Sequence, residues 1–119
     1  MLRCGIDSLE ISRVEEGIAR FGERFFNRFF TSGERADCGD RAHRLAARIA
    51  AKEAVAKALG TGIGEVGWRD IEIRGDERGR PMLLLHGAAA RHALALGLTQ
   101  WDVSLTHTQT DASAVAVAL

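Results

Sequence analysis

Two side chains of opposite charge, Glu53 and Lys57, stand four residues apart in an alanine-rich segment that ends at Gly60, Thr61 and Gly62. This composition predicts a helix that stops at the glycines. Residues i and i+4 share a helix face, so we expect the acid and the amine on one side. That side could bind a hard cation and contact a phosphate. It could equally carry a solvated ion pair, which contributes about 0.2–0.5 kcal/mol.

A further carboxylate, Asp7, ends a short segment over residues 2–7 that is typical of a strand. Mg²⁺ prefers one or two carboxylates together with water and phosphate oxygens. Asp7 and Glu53 are therefore candidate magnesium ligands if the fold brings them together. Asp7 could instead be an ordinary turn residue, and sequence spacing leaves both interpretations open.

Lys57 and the segment from Gly60 to Gly62 suit phosphate contact through a point charge and backbone N–H groups. Gly60 could also do no more than end the helix. The lysine precedes the glycines, which is the reverse of the P-loop order, so a Walker-type NTPase is disfavoured.

Two groups of basic residues accompany these candidates. Arg44, Arg48 and Lys52 recur every four residues, which predicts a basic stripe beside the Glu53 face, either solvated or bound to an anionic ligand. The first helical region carries a second group that could dock an acidic partner: Arg13, Arg20, Arg24 and Arg28.

Polar side chains also end a predicted strand near the C-terminus, at Ser104, Thr106, His107 and Thr108. Alternation places Ser104 and Thr106 on one face and His107 on the other. Without a G-x-S-x-G context, a hydrogen-bonding wall for a ligand is favoured over a catalytic Ser-His pair. The remaining histidines have no zinc-ligand spacing with Cys4 and Cys38.

The hydrophobic pattern predicts one α+β domain over residues 1–119, in the order β-α-α-α-β-β-α-β-β. A mainly antiparallel sheet should pack against a long helix over residues 43–59, with shorter helices around it. Capping-box patterns at Ser12/Glu15 and Thr31/Glu34 predict the starts of the first and third helices. Residues 70–74 and 81–86 are typical of a hairpin.

Composition narrows the function further. Sixteen basic and sixteen acidic residues balance, which disfavours bulk binding to nucleic acid or membrane and is compatible with an oligomer. Two cysteines and no recognisable signal peptide indicate a reducing, cytoplasmic setting.

Several motifs in a fixed order then align with one family. They are Gly5-Ile6-Asp7 with Glu10-Ile11 and Arg13, Phe21-Gly22-Glu23-Arg24-Phe25, Phe30-Thr31 with Glu34, Ala50-Ala51-Lys52-Glu53-Ala54, Lys57-Ala58-Leu59-Gly60-Thr61-Gly62, Trp68-Arg69-Asp70-Ile71-Glu72-Ile73, Gly79-Arg80-Pro81 and Ser104-Leu105-Thr106-His107-Thr108. The chain resembles the small bacterial holo-acyl-carrier-protein synthases, which are 4′-phosphopantetheinyl transferases.

The resemblance implies the 4′-phosphopantetheinyl transferase fold, Mg²⁺ on Asp7 and Glu53, and a phosphate contact at Lys57. It implies a homotrimer with sites between protomers, acting in fatty acid biosynthesis. Arg13, Arg20 and Arg24 would face the acyl carrier protein. Coenzyme A would be held around Gly60, Thr61, Gly62, Gly79, Arg80, Pro81, Ser104, Thr106, His107 and Thr108, and Arg44 and Arg48 could assist its 3′-phosphate.

On this interpretation a carrier-protein serine attacks the β-phosphate of coenzyme A, with Glu53 as candidate base and Lys57 neutralising the leaving phosphate. Two other functions stay open at this point. A non-catalytic module could bind coenzyme A or a nucleotide through the same segments, or the chain could be a structural oligomerising domain.

Overall fold

The computed structural model describes all residues, 1–119. Its strands are β1 (Arg3–Glu10), β2 (Ile71–Gly75), β3 (Pro81–Leu85), β4 (Trp101–His107) and β5 (Asp111–Ala118), and its helices are α1 (Ile11–Phe21), α2 (Glu23–Phe29), α3 (Ser32–Cys38), α4 (Ala42–Leu59) and α5 (Gly87–Ala95). A short 3₁₀ turn, Trp68–Asp70, precedes β2. The α+β class is confirmed. The predicted element order differs from the structure by one helix, because four helices, α1 to α4, precede the β2–β3 hairpin where the order gave three.

The strands form two antiparallel sheets. The first has the order β1-β5-β4, and the second is the β2-β3 hairpin. In the first sheet Asp7 pairs with Ala114, and Leu105 pairs with Ala114 from the other side. One face of this sheet packs against α4, while β2 and β3 cover another part of that helix.

Small residues allow α4 to lie close to β1. Ala50, Ala54 and Ala58 are buried, and a Cβ added at Gly5 would overlap the carbonyl oxygen of Ala54. Because only glycine permits this approach, β1 and α4 are held at a short separation. The close packing fixes the distance between side chains that project from the two elements.

A second core lies at the other end of α4. It joins Phe25, Phe26 and Phe30 with Leu45 and Ile49, all of them buried. Phe25 and Phe26 lie on α2, and Phe30 follows the helix directly. The aromatic rings form a connected cluster that secures α1 and α2 beside α4.

Two local predictions differ from the structure. Helix α1 begins at Ile11, so Ser12 lies inside its first turn, and the capping box at Ser12/Glu15 was wrong. Helix α1 follows strand β1 without a turn between them. Ile11 N–H donates to Thr110 O at 2.8 Å, and no side chain caps the helix. By contrast, the capping box of Thr31 and Glu34 is confirmed by reciprocal bonds of 3.1 and 2.9 Å.

Strand β1 also continues past Asp7 to Glu10, because β5 pairs with it along its whole length. Asp7 is therefore a mid-strand residue, not a strand-exit residue. None of the helices combines the length and apolar character that crossing a membrane requires.

Candidate active site

Asp7 and Lys57 meet on the α4 side of the first sheet. Gly5 and Asp7 alternate onto the same strand face, and Gly5 is the point of closest approach to the helix. The Lys57 ammonium donates to Asp7 Oδ1 at 3.1 Å and to the carbonyl oxygen of Ile6 at 3.0 Å. The structure thus joins an acid and an amine that are 50 residues apart in sequence.

Glu53 lies one helical turn before Lys57 and completes a cluster of two carboxylates and one ammonium. Partial burial raises the pKa of the Glu53 carboxyl, and the negative charge of Asp7 raises it further. Lys57 and Arg13 oppose both effects. The negative charge of Asp7 beside Glu53 makes a site where an added cation is stabilised.

The donor set fits a hard cation that keeps several water or substrate oxygens. Asp7 and Glu53 supply two carboxylates, and no cluster of three or more His, Cys, Asp or Glu side chains suited to a metal is present. Sparse oxygen ligation of this kind suits Mg²⁺, which binds through one or two carboxylates and substrate phosphates. It does not suit a structural zinc site, which needs four protein ligands.

Lys52 differs from the predicted basic stripe. Its side chain is fully buried, and its ammonium donates to Glu34 Oε1 at 2.7 Å, Trp68 O at 2.9 Å and Ile71 O at 2.6 Å. Neither a solvated face nor a ligand contact is available to it. The four-residue spacing resembled a surface stripe, but α3 and β2 cover this position.

Arg44 and Arg48 also do not lie beside Glu53 and Lys57. Arg44 precedes Glu53 by nine residues and Arg48 precedes Lys57 by nine. At 3.6 residues per turn, nine residues correspond to two and a half turns, so the arginines point to the opposite side of α4. The separation along the helix axis is about 13 Å. The predicted contacts therefore divide between two sides of one helix.

Arg48 lies beside the turn that joins β2 and β3. A Cβ added at Gly75 would stand 4.0 Å from a terminal nitrogen of Arg48 and 3.7 Å from Cα of Gly79. The Asp76 carboxylate closes this turn by accepting the N–H groups of Arg78 and Arg80, each at 2.8 Å. The structure thus brings Arg48 close to the segment Gly79, Arg80 and Pro81.

The end of β4 lies near the first turn of α4. The rings of His43 and His107 stand 4.7 Å apart between centroids. Ser104 and Thr106 are exposed on the other strand face, as the alternation predicted. Thr108 belongs to the β4–β5 turn, where its hydroxyl oxygen accepts the N–H groups of Thr110 and Asp111.

The glycine segment after α4 mainly completes the helix. Gly60 has a left-handed conformation and is the helix cap. The N–H groups of Thr61 and Gly62 donate to Ala56 O at 3.2 and 3.4 Å, and Gly60 N–H donates to Lys57 O at 3.0 Å. These amides already have partners, which leaves the Thr61 side chain as the polar group of the segment without one.

Three buried side-chain polar atoms have no hydrogen-bond partner within the chain: Arg48 Nε, Thr61 Oγ1 and Trp101 Nε1. Buried polar groups are nearly always paired, so each calls for an explanation. Two of the three belong to predicted ligand contacts, Arg48 and Thr61, and lie on the two sides of α4 described above.

Arginines and aromatic rings line a cleft between α1 and α2. The guanidinium groups of Arg20 and Arg24 lie over the Phe21 ring, at 5.2 and 5.8 Å from its centre. The cleft has a volume of about 430 Å³ and is lined by Gly17, Phe21, Arg24, Phe25, Arg28 and Phe29. Arg13, on the same helix α1, is close enough to Glu53 to lower the pKa of that carboxyl. Helix α1 therefore runs from the carboxylate cluster to the cleft, with an arginine near each end.

Arg3 and the buried pairing of Glu34 were not among the predicted features of the site. Arg3 donates through Nε to Ala58 O at 2.7 Å, and a Cβ at Gly60 would lie 2.9 Å from one of its terminal nitrogens. The alternation of Arg3, Gly5 and Asp7 on one strand face was the available signal. For the buried pair of Lys52 and Glu34, the capping box located Glu34 but nothing local indicated its partner.

Sequence comparison with known proteins identifies one family. The family model of the 4′-phosphopantetheinyl transferase superfamily matches residues 3–117. The holo-[acyl-carrier-protein] synthase of Herpetosiphon aurantiacus is 45% identical over 126 aligned positions, covering 100% of this chain and 99% of its own length. That of Moorella thermoacetica is 50% identical, covering 98% and 93%.

Comparison with solved structures identifies the same family. The Helicobacter pylori holo-[acyl-carrier-protein] synthase in complex with coenzyme A superposes with a TM-score of 0.89 at 32% identity, covering 98% of this chain and 99% of that one. The Bacillus anthracis enzyme in complex with CoA (3′,5′-ADP) gives 0.79 at 34% identity, with coverage of 98% and 94%. With the whole domain matched in sequence and in fold, the chain belongs to the 4′-phosphopantetheinyl transferase superfamily.

Proposed function

We propose that this protein is a holo-[acyl-carrier-protein] synthase, which transfers the 4′-phosphopantetheine group of coenzyme A to a serine of an apo acyl carrier protein. Adenosine 3′,5′-bisphosphate is the second product. The observation that carries this proposal is the cluster of Asp7, Glu53 and Lys57 in a chain that matches the family over residues 3–117. An acid pair and an amine beside an open surface suit phosphoryl transfer.

The reaction joins the serine oxygen to the β-phosphorus of coenzyme A and breaks the bond from that phosphorus to the bridging oxygen. Glu53 is positioned to accept the serine proton, directly or through a water. Lys57 neutralises negative charge that develops on the departing phosphate. Mg²⁺, held by Asp7 and Glu53, would supply charge stabilisation at the pyrophosphate oxygens.

Coenzyme A contacts on both sides of α4 require more than one chain. The contacts form two sets. The first set lies towards the C-terminal end of α4 and comprises Asp7, Glu53, Lys57 and Thr61. The second set lies on the other side of α4 or towards its start, and comprises Arg44, Arg48, Gly79, Arg80, Pro81 and the end of β4. A single ligand that used both sets in one chain would have to wrap around the helix. The two sets form one site if neighbouring protomers each supply one of them.

A homotrimer, the assembly that the family resemblance implies, provides such neighbours. The sheet face turned away from α4 is free and partly apolar, with Leu2, Ile6, Val115, Val117 and Leu119 exposed. Adjacent residues on three strands form its rows, for example Ile6, Val115 and Ser104. Exposed apolar patches of this kind are typical of protein interfaces. Zero net charge also removes long-range repulsion between copies.

The acyl carrier protein is proposed to dock on α1 and α2. Arg13, Arg20 and Arg24 offer positive charge to an acidic partner, and the cleft beside Phe21 offers an apolar surface for it. Arg13 lies near Glu53, so a carrier bound along α1 can present its serine to the base.

Cys4 and Cys38 are free thiols, which is consistent with fatty acid biosynthesis in a reducing cytoplasm.

The test is the mass of an apo acyl carrier protein incubated with coenzyme A, Mg²⁺ and this enzyme. We expect the carrier to gain one phosphopantetheine group and adenosine 3′,5′-bisphosphate to appear in equal amount. Glu53→Gln should abolish both changes, whereas a non-catalytic binding module would leave the carrier unmodified even with the native chain. An unchanged carrier mass across several apo carriers would contradict the proposed function.

A further inference from the structure

Lys57 and Asp7 form an ion pair at the position where the proposed metal ligand is needed. The ammonium lies 3.1 Å from Asp7 Oδ1, and its second bond goes to Ile6 O on the same strand. A metal ion bound to Asp7 would therefore share a carboxylate with a positive charge already in hydrogen-bond contact. Two cations at one carboxylate repel each other, and each weakens the binding of the other.

The pair is arranged so that the lysine can leave. The Lys57 side chain is 55% exposed, whereas that of Asp7 is 18% exposed. Ion pairs with one well-solvated partner contribute about 0–1 kcal/mol, so the ammonium can rotate into solvent at small cost. Asp7, being more shielded, stays in place as a fixed acceptor.

We propose that the Lys57 ammonium is a displaceable occupant of Asp7, so that it lowers the affinity of the free enzyme for Mg²⁺ and couples metal binding to the arrival of a pyrophosphate. An anionic phosphate oxygen gives the ammonium an alternative partner. Once Lys57 moves to the phosphate, Asp7 Oδ1 is released to the metal. Metal and pyrophosphate then strengthen each other's binding by the same factor, as linkage requires.

This inference rests on the proposed function for the identity of the site, but it makes its own claim about Lys57. If Lys57 were only a phosphate contact, its removal would leave the metal affinity of the free enzyme unchanged. If it competes for Asp7, its removal tightens metal binding. Competition for Asp7 also predicts weaker coupling between metal and pyrophosphate in a variant without the ammonium. In that variant the pyrophosphate has no ammonium to draw away from Asp7.

The experiment is a titration with Mn²⁺, a paramagnetic substitute for Mg²⁺, in which free Mn²⁺ is measured by electron paramagnetic resonance. Wild type, Lys57→Met and Lys57→Arg are compared with Arg78→Met, which removes an equal charge from the exposed β2–β3 turn. Each is titrated alone and with inorganic pyrophosphate, after correction for Mn²⁺ bound by pyrophosphate itself.

We expect Lys57→Met to bind Mn²⁺ more tightly than wild type in the absence of pyrophosphate, by up to about fivefold. Lys57→Arg and Arg78→Met should remain close to wild type. Pyrophosphate should tighten Mn²⁺ binding by wild type more than by Lys57→Met.

Equal or weaker Mn²⁺ binding by Lys57→Met would overturn the competition while leaving the metal site intact. Absence of Mn²⁺ binding by every variant, with and without pyrophosphate, would overturn the metal site and the competition together. The carrier-mass assay on wild type remains an independent test of the transferase function, so the failures can be told apart.

Discussion

The backbone of Gly5 lies against the carbonyl oxygen of Ala54, so closely that a Cβ on Gly5 would overlap that oxygen. This contact sets the separation of β1 from α4. Asp7 stands two residues further along the strand and Lys57 three residues further along the helix, and they meet because their elements are in contact here. The carboxylate cluster is therefore supported by a packing feature that carries no functional group.

Replacing Gly5 with alanine should destabilise the protein by at least about 1–3 kcal/mol, since overpacking a tight helix–strand contact forces the backbones apart. Urea unfolding measures this effect. Gly67→Ala is the matched control, because its φ of −82° suits alanine and the nearest atom to the new Cβ is Asp70 Oδ2 at 3.4 Å. Similar midpoints for both variants would show that the Gly5 contact is not restrictive.

Glu53→Gln should raise the stability of the metal-free protein at neutral pH while removing activity. The folded-state pKa of Glu53 is raised, so ionised Glu53 costs stability. That cost is absent below the unfolded pKa of glutamate, about 4.3. It grows as pH rises through the higher folded pKa. Thermal unfolding of both proteins in a chelator should therefore diverge above about pH 4.3, with the variant more stable.

Mg²⁺ should reverse the order of these two proteins. A cation that binds the native site stabilises wild type by mass action, and the variant lacks one of the two carboxylates that bind it. The midpoint of wild type should rise with added Mg²⁺ and that of Glu53→Gln should stay nearly constant. Parallel responses of the two proteins would argue against Glu53 as a metal ligand.

The two lysines of the chain offer a matched comparison of buried and exposed ion pairs. Lys52 and Glu34 are both fully buried, whereas Lys57 is largely exposed beside Asp7. Lys52→Met should lower the free energy of unfolding by about 3–5 kcal/mol, because it leaves the Glu34 carboxylate buried without its cation. Lys57→Met should change it by less than about 1 kcal/mol. Equal effects in chemical denaturation would contradict the assigned burial.

Charge reversal on α1 and α2 tests the carrier-docking surface. The double variant Arg20→Glu/Arg24→Glu should raise KM for the acyl carrier protein on the order of tenfold and weaken its dependence on salt. KM for coenzyme A should not change, since neither arginine lies in the carboxylate cluster. Arg78→Glu, a reversal on the β2–β3 turn, is the control and should leave both constants unaltered. An equal rise in both constants for the double variant would indicate damage beyond docking.

The fold could be predicted where the signals are local. The end of α4 at Gly60 and the capping box of Thr31 and Glu34 are set by a few neighbouring residues, and both are observed. The start of α1 could not be predicted in this way, because it depends on a hydrogen bond from Ile11 N–H to Thr110 O, a residue distant in sequence.

The site was predictable as a set of residue types but not as a geometry. Asp7 was identified through its chemistry, and its contact with Lys57 depends on a packing partner about 50 residues away. Lys52 has the spacing of a surface stripe, yet partners 18 and 19 residues away bury it. Such long-range covering has no periodic signature in a single sequence.

If the proposed arrangement is correct, one transfer site combines Glu53 of one protomer with Arg44 and Arg48 of another. Glu53→Gln and Arg44→Ala/Arg48→Ala are co-expressed with different affinity tags, and mixed assemblies are isolated through both tags. Carrier modification is then measured by mass spectrometry. Each parent alone should be impaired on the order of 10²–10³-fold.

Mixed assemblies should regain about a third of wild-type activity, because every mixed cyclic trimer contains one junction out of three at which both intact sets meet. Mixed assemblies no more active than the sum of their parents, while wild type modifies the carrier fully, would contradict a site shared between protomers.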